Sequence, residues 1–351
     1  MKLSDFQYHL PPELIATHPA ERRDASRLMR LDRAGGAVEH HVFSDLPGLL
    51  RPGDCLVIND SRVIPARVWA ERRGGGRTEL LLIAPGGEGV WEALARPARR
   101  LVPGTRLTLP GNAGEVEVIG GEGRSRLVRF HTAEPLEQFL ARAGEMPLPP
   151  YILRERQARG EAPHATEADR ERYQTVYARE QGSIAAPTAG LHFTPELLAE
   201  IEKRGIEIRR VTLHVGIGTF EPIEVDDLAD HKMHTELYEI SAENAAAIEA
   251  ARIDPDRRVV AVGTTAIRTL ESCAARHGRI QADADSTALF IQPGFKFQVI
   301  GAMVTNFHLP ASTLLILISA FAGRENVLAA YAEAVREKYR FFSYGDAMLI
   351  E

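Results

Sequence analysis

Arg258-Val259-Val260-Ala261-Val262-Gly263-Thr264-Thr265 is the stretch on which the fold turns. Its four apolar residues read as a short buried strand and Gly263 as the turn. Thr265 opens a helix that ends near His277-Gly278. A strand that feeds straight into a helix is the unit of a mainly parallel α/β domain, and the surrounding chain repeats it. Thr194 caps a helix with Pro195 at its first position and Glu196 in its first turn. That helix runs to Arg204 and stops at Gly205, and residues 206–215 follow as a strand. Ser241 caps an alanine-rich helix to about Ile253, just before the strand at Arg258. Ser312 opens an apolar helix expected to be buried. Val327, Tyr331 and Val335 line one face of another helix that reaches Lys338. The strand-like Asp54-Cys55-Leu56-Val57-Ile58-Asn59 is assigned to the same α/β body.

From Val68 to about Phe130 the pattern differs. Residues 79–83 run into Pro85-Gly86-Gly87, 106–109 into Pro110-Gly111-Asn112, and 115–119 into Gly120-Gly121, while 127–130 follow Gly123. Short apolar runs between such turns describe a compact β-barrel or sandwich, with the Pro-rich residues 146–151 as its exit. The expected organisation is an α/β body of residues 1–66 and 150–351, interrupted by an inserted β domain of residues 67–149.

With 351 residues, 44% hydrophobic and 26% charged, the chain can bury a sizeable core. Its two cysteines, Cys55 and Cys273, are far apart and in no CxxC pair, which argues against a disulfide scaffold and a thiolate zinc site. The first residues lack the apolar run of a signal peptide, and the longest strongly apolar stretch, residues 314–322, is too short to span a bilayer. A cytosolic protein without membrane contact is expected. The net charge is -6, yet residues 67–131 hold eleven arginines and seven glutamates with no Asp or Lys. That segment therefore carries +4 and the remainder -10. A basic segment on an acidic body suits a protein that holds nucleic acid at one place, although solvated arginines would give the same count.

Six segments carry candidate chemistry. The Gly263-Thr264-Thr265 turn, with Arg268 one turn on, offers helix N-terminal N–H groups, hydroxyls and a cation to a phosphate or carboxylate; a capped helix after a core strand reads the same way. Ala186-Pro187-Thr188-Ala189-Gly190-Leu191-His192-Phe193 sets small residues around one histidine, allowing close backbone approach. In residues 213–220, Gly216-Ile217-Gly218 precedes Pro222 where a dinucleotide loop needs a helix, which excludes that cofactor loop. His231-Lys232-Met233-His234-Thr235-Glu236 has HxxH spacing but no third ligand at a recognisable distance, so no metal is assigned. Val304-Thr305-Asn306-Phe307-His308-Leu309-Pro310-Ala311-Ser312-Thr313 places polar residues at a strand's C-terminal end, where open α/β folds bind ligands. Finally, Tyr339-Arg340-Phe341-Phe342-Ser343-Tyr344-Gly345-Asp346-Ala347-Met348 gathers aromatics around Arg340 and Asp346, as a base-stacking surface or as core.

These segments, together with residues 5–11, 23–28, 172–177 and Asn59-Asp60-Ser61-Arg62-Val63-Ile64-Pro65-Ala66-Arg67, resemble the S-adenosylmethionine:tRNA ribosyltransferase-isomerase family of the queuosine pathway along nearly the whole chain. Two positions depart from the family pattern: Ala288 where an acidic residue is expected, and Gly301 where Asp is usual. The resemblance implies a larger barrel-like α/β domain with a smaller all-β domain inserted, in a soluble monomer. It implies S-adenosylmethionine consumed as a ribosyl-donating co-substrate, no other cofactor, and the anticodon arm of tRNA as partner. The acceptor would be 7-aminomethyl-7-deazaguanine at the wobble position, giving epoxyqueuosine with loss of adenine and methionine. Such chemistry needs general acids and bases. His192, His214, His234 and His308, with Glu236 and Asp346, are the candidates. Gly263, Thr264, Thr265 and Arg268 would hold the donor's methionine carboxylate, and Arg62, Arg67 and Arg340 would meet tRNA phosphates. Asn59, Asp60, Thr188, Gly190, Asn306, Ser312, Thr313 and Tyr344 complete the expected substrate-binding set.

Overall fold

The computed structural model describes residues 1–351 except Glu88, Ile217, Thr219, Phe220, Glu221, Pro222 and Glu224. Pro222 and the centre of the GxG segment thus lie outside the described residues. Residues Met1–Arg62, Gln174–Glu180 and Ala186–Glu351 form one compact unit; Val63–Tyr173 and Gln181–Ala185 form the other.

Nine strands of the first unit form one mixed sheet. Its order is Asp283–Thr287, Glu236–Ile240, Glu207–Leu213, Cys55–Asn59, Val259–Val262, Ile300–Asn306, Ala347–Ile350, Arg27–Leu31 and Val38–Val42. The four strands from Glu207–Leu213 to Ile300–Asn306 are mutually parallel, while Glu236–Ile240 and Ala347–Ile350 flank them antiparallel. The central strands are apolar on both faces, as helix-covered parallel strands must be. One face packs Leu56, Ile58, Val260, Val262, Ala302, Val304, Ala347 and Leu349 against Phe43, Phe193, Leu197 and Ile201.

Helix starts follow the capping residues closely. Thr194, Ser241 and Ser312 each accept a hydrogen bond from a backbone N–H of the first turn. The helix expected from Thr265 begins two residues earlier, at Gly263, which takes φ +83° and lets the chain leave the strand directly into the helix. Among the described residues no single helix is long and apolar enough to cross a membrane. The pair Thr313–Ala322 and Arg324–Arg336 is bent by 116° at Gly323.

The second unit contains the β-barrel, and it is closed: Ser125–Thr132, Val90–Arg96, Arg77–Gly87, Arg67–Arg72, Arg106–Thr108 and Gly114–Gly120 in ring order. Alternate residues such as Val68, Leu80, Leu82, Val116, Val118 and Val128 fill its interior. This unit extends further along the chain than the Pro-rich exit suggested. Residues 146–152 cover its core, with Met146, Leu148 and Ile152 buried, and the helices Pro150–Ala158 and Glu167–Arg172 stay with it. The physical tie is an ion pair: the buried Arg156 guanidinium donates twice to Asp169, at 2.7 and 2.8 Å. Burying both charges costs several kcal/mol per ion, which the bidentate geometry, the added Thr166 bonds to Asp169 and the Arg156 bond to the His164 carbonyl help to offset.

Candidate functional site

Strand direction gathers most of the expected site residues at one edge of the sheet. The parallel strands end at Asn59, Leu213, Val262 and Asn306; the antiparallel neighbours begin there, at Glu236 and Ala347. Arg27–Leu31, parallel to Ala347–Ile350, also begins at this edge. Asn59-Asp60, His214, Gly263-Thr264-Thr265, Asn306, Asp346 and Glu236 therefore share it, although as many as 287 residues separate them in sequence.

The best-defined cluster centres on His192, in the short 3-10 helix Thr188–His192. The ring is 4% exposed, stacks on Phe43 with centroids 4.9 Å apart, and places Nδ1 2.6 Å from Ser26 Oγ. Nε2 has no hydrogen-bond partner among the described residues, and neither has Asn306 Oδ1. Both Asn306 amide hydrogens are directed away, to the Phe342 carbonyl at 2.9 Å and the Ser343 carbonyl at 3.4 Å. Asp346 accepts from the backbone N–H of Arg27 at 3.0 Å and of Arg340 at 2.8 Å. Burial, reinforced by the Arg340 guanidinium, pushes His192 down to about 3, while Asn306 favours the protonated ring. Gly190 is required here: a Cβ would lie 2.1 Å from Tyr177 Oη.

Sequence reading missed Ser26, although it lies inside the quoted segment 23–28. Its partner is 166 residues away, and no local pattern signals a contact of that range.

His308 goes elsewhere. Along Ile300–Asn306 the side chains alternate, so Ala302, Val304 and Asn306 share the His192 face and Thr305 points to the other. His308 Nε2 is 2.9 Å from Thr305 Oγ1, and the ring is buried. Burial pushes it down to about 3. The strand-end position is as expected, but its ring belongs with Thr305 and not with Asn306.

Arg268 does not stand free at the Gly263 turn. It is buried with Glu236, to which it donates, and reaches the carbonyls of Leu289 at 3.2 Å and Thr287 at 3.4 Å. Glu236 also accepts from the Gly216 N–H at 2.9 Å. The Gly263–His277 helix nevertheless has no side-chain cap, and Thr265 Oγ1 is buried and unpartnered among the described residues. An open helix N-terminus with a spare hydroxyl suits a carboxylate. Asn59 is spent on the backbone of Leu213 and Ser61, and Asp60 accepts from Thr212 Oγ1 at 2.8 Å. Ser312 is a helix cap. His214 is half-buried with Nδ1 unpartnered among the described residues, and burial lowers its pKa. His234 and Arg62 are exposed; Thr188 and Thr313 are half-buried, and Tyr344 is buried. At the opposite edge Cys273, His277 and Asp283 converge, but Tyr238 Oη at 2.6 Å and His277 at 3.1 Å already occupy the Asp283 carboxylate.

Within the barrel unit Arg67, expected to meet phosphate, is 3% exposed and bonded to Glu79 and the Leu148 carbonyl; it is a framework residue. Arg126 is likewise buried. It donates to the carbonyls of Ala98 at 2.8 Å, Leu101 at 2.7 Å and Gly123 at 3.1 Å, pinning two loops together. Those loops carry Arg99, Arg100 and Arg124, which with Arg96 are exposed and have no ion pair among the described residues.

Polar strand ends collected on one edge of an α/β sheet, with buried acceptors that lack donors among the described residues, are the site architecture of an α/β enzyme. The comparisons with known proteins agree. The family model described as "Queuosine biosynthesis protein" matches residues 3–350. The S-adenosylmethionine:tRNA ribosyltransferase-isomerase of Symbiobacterium thermophilum is 52% identical over the full length of both chains. That of an Anaeromyxobacter species is 53% identical, covering 100% of this chain and 99% of its own. The crystal structure of the S-adenosylmethionine tRNA ribosyltransferase from Thermotoga maritima superposes with a TM-score of 0.56 at 38% identity, covering 99% of this chain and 100% of that one. The chain belongs to the S-adenosylmethionine:tRNA ribosyltransferase-isomerase family of queuosine biosynthesis.

The two buried histidines make stability fall in acid. Each has a folded pKa near 3 against about 6.5 unfolded, so between those values the unfolded chain binds the extra proton. Their contribution is fully present above about pH 6.5 and is lost toward pH 3, at about 1.4 kcal/mol per pH unit for each ring. Urea unfolding at a series of pH values checks this. His308→Gln should flatten the stability slope between about pH 6 and 4 by close to one proton; an unchanged slope would show that the ring is not held neutral.

Proposed function

We propose that the enzyme transfers and isomerises the ribosyl group of S-adenosylmethionine onto 7-aminomethyl-7-deazaguanine at the tRNA wobble position, giving epoxyqueuosine. The observation that carries this reading is the full-length family match combined with the shared strand-end edge. Chemically, the sulfonium acidifies the adjacent C5′ hydrogens, so a base removes one. The neutral aminomethyl nitrogen attacks the ribose-derived carbon skeleton, adenine departs on cleavage of its glycosidic bond, and methionine departs on cleavage of the C5′–S bond. S-adenosylmethionine is consumed as co-substrate.

The residues supply matching groups. His192, whose buried Nε2 faces Asn306, is the leading hydrogen-bond acceptor for a substrate donor group. The Gly263–His277 helix N-terminus with Thr265 receives the methionine carboxylate. Glu236 and Arg268 act as one positioned pair. Asp346 organises the turn that carries Arg340.

Incubation with S-adenosylmethionine and tRNA bearing the aminomethyl base should release adenine and methionine in equal amounts. Formation of S-adenosylhomocysteine instead would identify a methyltransferase and overturn the reading.

The tRNA is held in part by the exposed barrel arginines, with Arg96, Arg99, Arg100 and Arg124 ahead of Arg72 and Arg73. Arg73 already faces Glu115, and Arg72 is half-buried. Each phosphate neutralised by an arginine contributes roughly 0.7 to 0.9 to the log–log salt dependence of binding. Replacing the four by glutamine should flatten that dependence by this amount for every arginine that meets a phosphate, and leave S-adenosylmethionine affinity unchanged. An unaltered salt slope would make them a solvated face only.

A further inference from the structure

The hydrogens around His192 can be assigned from geometry. Ser26 Oγ lies 2.6 Å from His192 Nδ1 and donates its one proton to the Arg23 carbonyl at 2.9 Å. A hydroxyl has a single proton, so once it is given to that carbonyl the oxygen can only accept from the ring. Nδ1 therefore carries the imidazole hydrogen, and Nε2 keeps a bare lone pair. The opposite tautomer would take the Ser26 proton from the Arg23 carbonyl, and its Nε2–H would face Asn306, whose Oδ1 lies outside hydrogen-bonding geometry.

Asn306 is fixed by the same kind of arithmetic. Its amide hydrogens go to two backbone carbonyls, so the atom left over is the oxygen. His192 and Asn306 are 4% and 2% exposed, and each presents an acceptor without a donor among the described residues. Two such atoms, buried in one cluster, form a receptor for a hydrogen-bond donor that the described residues do not supply.

We propose that Ser26 is a positioning residue, locking His192 in the Nδ1–H tautomer so that Nε2, with Asn306 Oδ1, receives an N–H or O–H group of the substrate. The assignment of that group to a substrate of the reaction rests on the function proposed above; the tautomer does not. The charged groups facing the ring are Arg23 and Arg340, with Asp346 engaged by the Arg27 and Arg340 backbone. A positive surrounding of this kind disfavours the imidazolium and keeps the ring an acceptor until a donor arrives.

The test reads ring nitrogens directly, in protein labelled with ¹⁵N-histidine, with the His192 signals assigned through their contact to the Phe43 ring. In the wild-type enzyme Nδ1 should appear protonated and Nε2 bare. A protonated Nε2 would overturn the lock. Addition of S-adenosylmethionine alone, or of substrate tRNA alone, should shift the Nε2 signal with whichever molecule brings the donor. A signal that neither moves would overturn the receptor role. Ser26→Ala should mix the tautomers and lower the single-turnover rate roughly 10- to 100-fold, within the range for general acid–base groups, with KM for S-adenosylmethionine little changed. Ser26→Thr, which keeps the hydroxyl, should restore most of the rate. A Ser26→Ala enzyme with wild-type rate and unchanged nitrogen signals would end the proposal. The nitrogen signals need no turnover, so a correct tautomer in an enzyme that gave other products would count against the proposed reaction alone.

Discussion

Two hydrogen bonds from one side-chain amide hold the site together. Asn306, the last residue of a central strand, donates to the carbonyls of Phe342 and Ser343 and so ties the turn before the final strand to the end of the sheet. That turn is not relaxed on its own. Phe342 takes φ +78°, and Gly345 packs so tightly that a Cβ would meet the Arg340 carbonyl at 2.5 Å. Asp346 adds two bonds, to the backbone of Arg27 and Arg340. Buried bonds of this type contribute about 0.5–1.5 kcal/mol each, and more when the acceptor is charged. Together they offset backbone strain, and they leave Asn306 Oδ1 without a donor among the described residues.

The rest of the edge inherits its arrangement from strand direction. Four parallel strands must end on the same side, and antiparallel neighbours must begin there. Segments that look unrelated in sequence, Asn59-Asp60 and Asp346 among them, are therefore neighbours along one sheet border. The apolar strands themselves leave little room for variation, since Val260, Ala261, Ala302 and Val304 are all fully buried.

What was legible in the sequence is what local chemistry encodes. Thr194, Ser241 and Ser312 mark helix starts because a hydroxyl must satisfy the first free N–H groups, and the structure places the caps there. The barrel strands are readable because Pro-Gly and Gly-Gly turns punctuate them. What was hidden depends on pairs far apart. Arg67 reads as a surface cation until Glu79 and Leu148 close around it. The extension of the barrel unit to Tyr173 includes the buried Arg156–Asp169 pair, whose partners lie 13 residues apart. Arg268 looked free beside the Gly263 turn, and its commitment to Glu236 crosses 32 residues. His192 and His308 look alike in sequence; only the alternation of Thr305 and Asn306 sends one ring to each face.

That division of the two histidines is the central claim, and one paired measurement tests it most directly. Melting temperature and single-turnover rate should be taken on the same preparations of His192→Gln and His308→Gln. His192→Gln should keep most of its thermal stability while its rate falls by about 10² to 10⁴. His308→Gln should lose stability yet turn over near-normally in its folded fraction. The reverse pattern, a collapsed rate for His308→Gln with an active His192→Gln, would contradict it.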